Sequence, residues 1–171
     1  AQSVLIPAVT NATSNGYDIY DMPVNEGYCA ACDAFEFSNF IFGIFTQYLD
    51  ERPVADKHIP LKAYVHVGTE WDQSSYDDIN GAINFGDGSS TNRYPLAVID
   101  LVGHEIGHGY TAKWSGLLST GEAGGIDNSF SDLIGEVSEY FYTGSNDWLI
   151  GHNSYKVSLG TAAAERYMAN P

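Results

Sequence analysis

His104-Glu105-Ile106-Gly107-His108 places two imidazoles and one carboxylate within five residues of a helix-compatible segment. Histidines at i and i+4 project from one helix face about one turn apart, so both can reach a single zinc ion. The glutamate between them then stands beside the open coordination position, where it can take a proton from water. His104 and His108 are therefore candidate ligands and Glu105 the candidate general base. His58, His66 and His152 lack such partners and are expected to pack or to face solvent.

A second set of chemistry-bearing residues follows. The pattern predicts a long helix from about Ile126 to Tyr142, after a glycine-rich loop from Ser115 to Gly125. With Asn128 at zero and about 100° per residue, Asp132, Glu136 and Glu139 fall within about 80° of it, a stripe of ligands or a solvated acidic face. Ile126, Phe130, Leu133, Val137 and Phe141 gather on the opposite side, which reads as the core face.

The elements that must hold these groups are legible in outline. Residues 97–113 read as the helix carrying the motif. Its Gly103, Gly107 and Gly109 each cost about 1 kcal/mol against Ala, which implies close backbone packing. Ala34 to Leu49 reads as a buried amphipathic helix, with Phe37, Phe40, Ile41, Ile44, Phe45 and Tyr48 in the core. Leu61 to Val67 and Ala82 to Phe85 read as strands, Gly160 to Met168 as a closing helix, and residues 1–28 as irregular chain with short strands and turns at Asn15-Gly16 and Met22-Pro23. The expected class is α+β: a β-rich N-terminal part with one buried helix (1–96), then the metal-binding helix and a helical C-terminal part (97–171), with a cleft between them.

Composition narrows the partners. Against 22 Asp and Glu stand 7 Lys and Arg, a formal charge of -15 that repels nucleic acid and anionic lipid and attracts cations. No apolar run approaches the roughly 20 residues of a membrane helix. The start at Ala1 and the sequon at Asn11 fit an exported, processed protein. Cys29 and Cys32 admit a local disulfide, a redox pair or half of a zinc site, and export favours the disulfide or idle thiols.

HEIGHGYTAKWSGL followed by GGIDNSFSDLIGEVSEYF resembles the thermolysin and vibriolysin metalloendopeptidases, nearer the vibriolysin branch. The likeness runs from about Asp33 to Pro171. It includes Phe85-Gly86-Asp87-Gly88, Tyr94-Pro95-Leu96 and Asp147-Trp148-Leu149-Ile150-Gly151. It implies a zincin-like fold, zinc on His104 and His108, Glu105 as base, Asp132 orienting His104, and Asp127 where the family's Asn supports the second histidine. It also implies calcium on Asp100, Glu136, Glu139, Asp147 and the carbonyl of Leu149. Carboxylates about 4 Å apart repel by about 4 kcal/mol per pair at an effective dielectric of 20, which a hard cation relieves.

The chain departs from the family at several positions. Asn128 stands where the family has its glutamate zinc ligand, and an amide oxygen is a weaker, neutral donor. Asp127 is the second choice for third ligand and Glu122 the third. Ser119 replaces a tyrosine that stabilises the oxyanion, and Ser74 to Gly81 does not reproduce the usual substrate-pairing Asn-Ala-Phe-Trp segment. These 171 residues contain no counterpart of the family's C-terminal helical lobe with its further histidine. The expected function is a secreted, monomeric zinc metalloendopeptidase acting on peptide or protein substrates. The alternative is a catalytically impaired, calcium-stabilised peptidase-like binding module.

Overall fold

A computed structural model describes residues 2–6, 12–13, 29–54, 60–156 and 163–169. His58, the turns at Asn15-Gly16 and Met22-Pro23, and most of the 1–28 stretch lie outside the described residues.

Two packed layers make an α+β fold. The sheet contains β1 (Gln2–Ile6), β2 (Ala12–Thr13), β3 (Leu61–Val67), β4 (Ser74–Asp77) and β5 (Ala82–Gly86) in the order β2-β1-β3-β5-β4. β3 and β5 run parallel, and the other pairs are antiparallel. β3 alternates as its sequence requires, burying Leu61, Ala63 and Val65. β5 lies between β3 and β4, with Ala82, Ile83 and Phe85 all buried. β4 forms the outer edge.

α1 (Ala30–Ile44) starts earlier than its apolar spacing suggests and ends in a π-helical turn, Phe45–Leu49. A disulfide joins Cys29 to Cys32 across the helix start. Ile41 and Phe45 enter the core, while Phe37 and Phe40 pack at its margin. Tyr48 is 57% exposed, contrary to the core expectation, because the chain turns away at Asp50 and leaves the ring against Phe141 on the surface.

α2 (Ile99–Trp114) and α3 (Gly121–Thr143) form the second layer. They approach closely through small residues. A Cβ on Gly103 would stand 2.8 Å from the Gly135 Cα, and one on Gly107 would stand 2.7 Å from the Ser131 Cα. α3 begins five residues before the expected start, absorbing half of the glycine-rich loop. Its orientation is also reversed from expectation. Ile126, Leu133 and Phe141 are exposed, and Phe130 and Val137 are half-buried. Asp127, Ser131, Asp132, Gly135, Glu136, Ser138 and Glu139 are buried instead. Small residues let this polar face lie directly on α2, where Asp127 and Asp132 find donors, while Glu136 and Glu139 find theirs among residues 146–153.

The expected closing helix is absent from its described part. Arg166–Tyr167 forms β7, paired antiparallel with β6 (Leu149–Ile150), in register Leu149 with Tyr167 and Ile150 with Arg166. Ladder pairing and the ion pair of Arg166 with Asp132 hold residues 166–167 extended, against the helix expected there.

Candidate metal centre

α2 and α3 together assemble the first site. His104 and His108 occupy one face of α2, with their Nε2 atoms 3.0 Å apart. Two nitrogens each about 2.0–2.1 Å from a tetrahedral zinc would stand about 3.3 Å apart, so the pair fits one ion with little adjustment. Each remaining ring nitrogen is tied to a carboxylate from α3: His104 Nδ1 to Asp132 Oδ1 at 2.7 Å and His108 Nδ1 to Asp127 Oδ2 at 2.8 Å. Such bonds fix the tautomer and leave Nε2 free to ligate.

Both supporting carboxylates are themselves held. The Thr111 hydroxyl donates to Asp127 Oδ1 and also lies 3.0 Å from the His108 carbonyl. Asp127 is therefore engaged behind His108. Arg166 grips Asp132 through Nε at 2.8 Å from Oδ2 and Nη2 at 2.6 Å from Oδ1. Burial raises the Asp132 carboxyl, but the hydrogen bonds from His104 and Arg166 outweigh it and hold the group below the usual carboxylate range. Glu165, beside Arg166, pairs with the buried Arg93 at 2.6 Å.

Glu105 is 3% exposed, and burial pushes its carboxyl up while His104 and Ser74 oppose the rise. The Ser74 hydroxyl donates to Glu105 Oε1 at 2.5 Å. His104, Glu105, His108, Thr111, Asp127 and Ser74 border a cleft of about 810 Å³, lined on one side by β4 and on the other by α2, α3, Glu165 and Arg166. Asn128 and Ser119 also line it. The Asn128 amide nitrogen is bonded to the Gly124 carbonyl at 2.9 Å. Glu122, exposed in the first turn of α3, is not among the cleft residues.

Sequence reasoning missed Ser74, Thr111 and Arg166. The scarcity of cations was an available signal: with only 7 Lys and Arg, an Arg beside a Glu near the end of the chain needs a reason.

A second cluster sits toward the far end of α3. Ligating oxygens of Glu136, Glu139 and Asp147 lie within 4.8 Å of one another. Asp100, buried at the start of α2, accepts from Gly151 N at 2.6 Å and Leu101 N at 2.7 Å. Leu149 donates its N–H to Asp147 Oδ1 at 2.8 Å. Burial, with added repulsion from neighbouring acids, pushes Asp100 and Glu136 each up to about 7 and also raises Glu139. Asn146 and the Trp148 N–H both donate to Glu136 Oε2, yet the buried Oε1 has no hydrogen-bond partner. An unpartnered carboxylate oxygen among crowded acids is a donor set suited to a hard divalent cation.

A helix bearing HExxH, with both histidines braced by carboxylates of a second helix beneath a sheet edge, defines the zincin-like class of metallopeptidase fold. The sequence profile of the thermolysin metallopeptidase catalytic domain matches residues 8–112. The hemagglutinin/proteinase of Vibrio cholerae is 36% identical over 148 residues, covering 86% of this chain and 23% of that protein. The zinc metalloproteinase of Legionella pneumophila is 39% identical over 107 residues, 63% of this chain and 19% of its own length. In structure, the precursor of protealysin, a metalloproteinase from Serratia proteamaculans, matches with a TM-score of 0.70 at 25% identity, covering 84% of this chain and 44% of that one. The chain belongs to the thermolysin metallopeptidase family, and spans about a quarter of the length of the first curated relatives it matches.

Proposed function

We propose that this chain forms the metal-binding core of a secreted zinc metalloendopeptidase, with peptides or proteins as substrates. The carrying observation is the pair of Nε2 atoms 3.0 Å apart, each imidazole braced from behind, in the same cleft as Glu105. Zinc, when bound, polarises a scissile carbonyl and acidifies a water molecule. His104 and His108 hold it, and Asp132 and Asp127 keep their rings aligned. Asn128, which lines the cleft, is the proposed third ligand through its amide oxygen, since Asp127 is occupied behind His108. Glu105 accepts the proton of the attacking water and delivers it to the departing amine. The outer edge of β4 offers backbone groups to an extended substrate.

Calcium is the proposed occupant of the second cluster, held by Asp100, Glu136, Glu139, Asp147 and the Leu149 carbonyl. Its role is to neutralise the buried charge that joins α2 and α3 to the segment leading into β6. The -15 charge argues against nucleic-acid and anionic-membrane partners, and a monomer is proposed.

The test is hydrolysis of denatured protein by zinc-loaded chain beside Glu105→Gln, with metal content measured in both. Loss of cleavage with zinc retained is the expected result. Full activity of Glu105→Gln would sink the mechanism. One observation favours a second reading, a calcium-stabilised binding module: the Asn128 amide is engaged with Gly124, and asparagine is a weak zinc donor. Calcium without zinc in the purified protein, and no cleavage, would select it.

A further inference from the structure

We propose that Ser74 is a positioning residue for Glu105, its hydroxyl fixing the carboxylate toward the two histidines. The proposal rests on the peptidase reading above. Glu105 is buried, and a carboxylate on a three-torsion side chain is free to turn away from the cleft unless something holds it. Ser74 Oγ, 2.5 Å from Oε1, gives it a charge-assisted hydrogen bond from across the cleft wall.

Packing of β4 on α2 delivers that hydroxyl. Gly109 lies one turn beyond Glu105 on the same helix face. A Cβ on Gly109 would stand 2.3 Å from Val54 Cγ1 and 3.0 Å from the Tyr76 ring, so the missing side chain lets both Val54 and Tyr76 settle against α2. Four helical residues rise about 6.0 Å and two strand residues about 6.6 Å. With Tyr76 seated at Gly109, Ser74 therefore falls beside Glu105. Strand alternation puts both on the same side of β4, while Ser75 points away, its hydroxyl accepting from Asn84 at 3.3 Å. Pairing with β5, Ser74 opposite Phe85 and Tyr76 opposite Ile83, fixes the register. The segment that departs from the family's substrate-pairing pattern thus supplies a hydroxyl to the base.

The experiment compares Ser74→Ala and Ser74→Thr in wild-type and Glu105→Gln backgrounds, reading kcat and KM on a peptide, bound zinc, and the Glu105 rotamer in crystal structures. Ser74→Ala is expected to lower kcat about tenfold, with KM and zinc unchanged and Glu105 occupying a second rotamer. Ser74→Thr, which keeps the hydroxyl, restores kcat to within about twofold, and Ser74→Ala causes no further loss in the Glu105→Gln background. The proposal is overturned if Ser74→Ala leaves kcat and the Glu105 rotamer unmoved, or if Ser74→Thr fails to rescue. Full activity of Glu105→Gln refutes the peptidase reading, whereas full activity of Ser74→Ala beside an inactive Glu105→Gln refutes only the role of Ser74. Should the zinc-loaded wild type cleave nothing, the Glu105 rotamer in Ser74→Ala decides the question by itself.

Discussion

Calcium addition to the calcium-free protein, with zinc held constant, is expected to raise its melting temperature at pH 8 and to do almost nothing at pH 5. Asp100 is fully buried with its pKa at about 7 against an ordinary 3.8, and Glu136 is at about 7 against 4.5. In the calcium-free state the folded chain therefore holds protons that the unfolded chain has released between these limits. Stability is highest on the acid side of that window and falls as pH rises through about 7. For Asp100 alone the shift of about three units sets a ceiling near 4 kcal/mol, at about 1.36 kcal/mol per unit. Above pH 7 the carboxylates are ionised and ready for a cation. A ligand at about 100 times its Kd contributes about 2.7 kcal/mol, or about 5–11 °C for a chain of this size. Asp132 works in the opposite sense: its pKa is depressed, so its contribution is lost only as pH falls through that lowered value, outside the window. Differential scanning calorimetry at pH 5 and pH 8, with and without calcium, measures the effect. Equal calcium increments at both pH values, or none at pH 8, would refute the reasoning.

Asn128→Glu is expected to tighten zinc binding at least tenfold in competition with a chromophoric chelator, because a carboxylate replaces a neutral amide donor. Asp132→Asn should weaken zinc binding by about 10- to 100-fold while leaving the fold intact, as the brace on His104 is lost. Gly107→Ala should cost about 1–3 kcal/mol in urea denaturation, since its methyl meets the Ser131 backbone on α3.

The motif was legible because helix geometry alone brings His104 and His108 together, with no distant residue needed. The carboxylate braces and the acidic cluster were named from the family resemblance. The orientation of α3 was not readable from hydrophobic periodicity, which assumes that polar residues seek water. Here Asp127 and Asp132 find donors on α2, which Ser131, Gly135 and Ser138 let α3 approach, while Glu136 and Glu139 accept from Asn146, Trp148, Asp147 and Asn153 in the chain that follows α3. The strand at Arg166 was hidden by the preceding Ala162-Ala163-Ala164, a run of strong helix formers, whereas the ladder with β6 is made by Arg166 and Tyr167. Ser74, Thr111 and Arg166 escaped notice because their partners Glu105, Asp127 and Asp132 lie 31, 16 and 34 residues away. No local pattern encodes such meetings.

Written as a pattern, the motif on α2 has three fixed letters and two wildcards. In this molecule the wildcards carry nearly as much information as the letters. Ile106 is fully buried in the core, and Gly107 lies against the Ser131 Cα with no space for a methyl group. A library randomised at these two positions and selected for folding alone would return an apolar residue followed by glycine. Chemistry dictates the histidines and the glutamate, and the neighbouring helix and core dictate what stands between them.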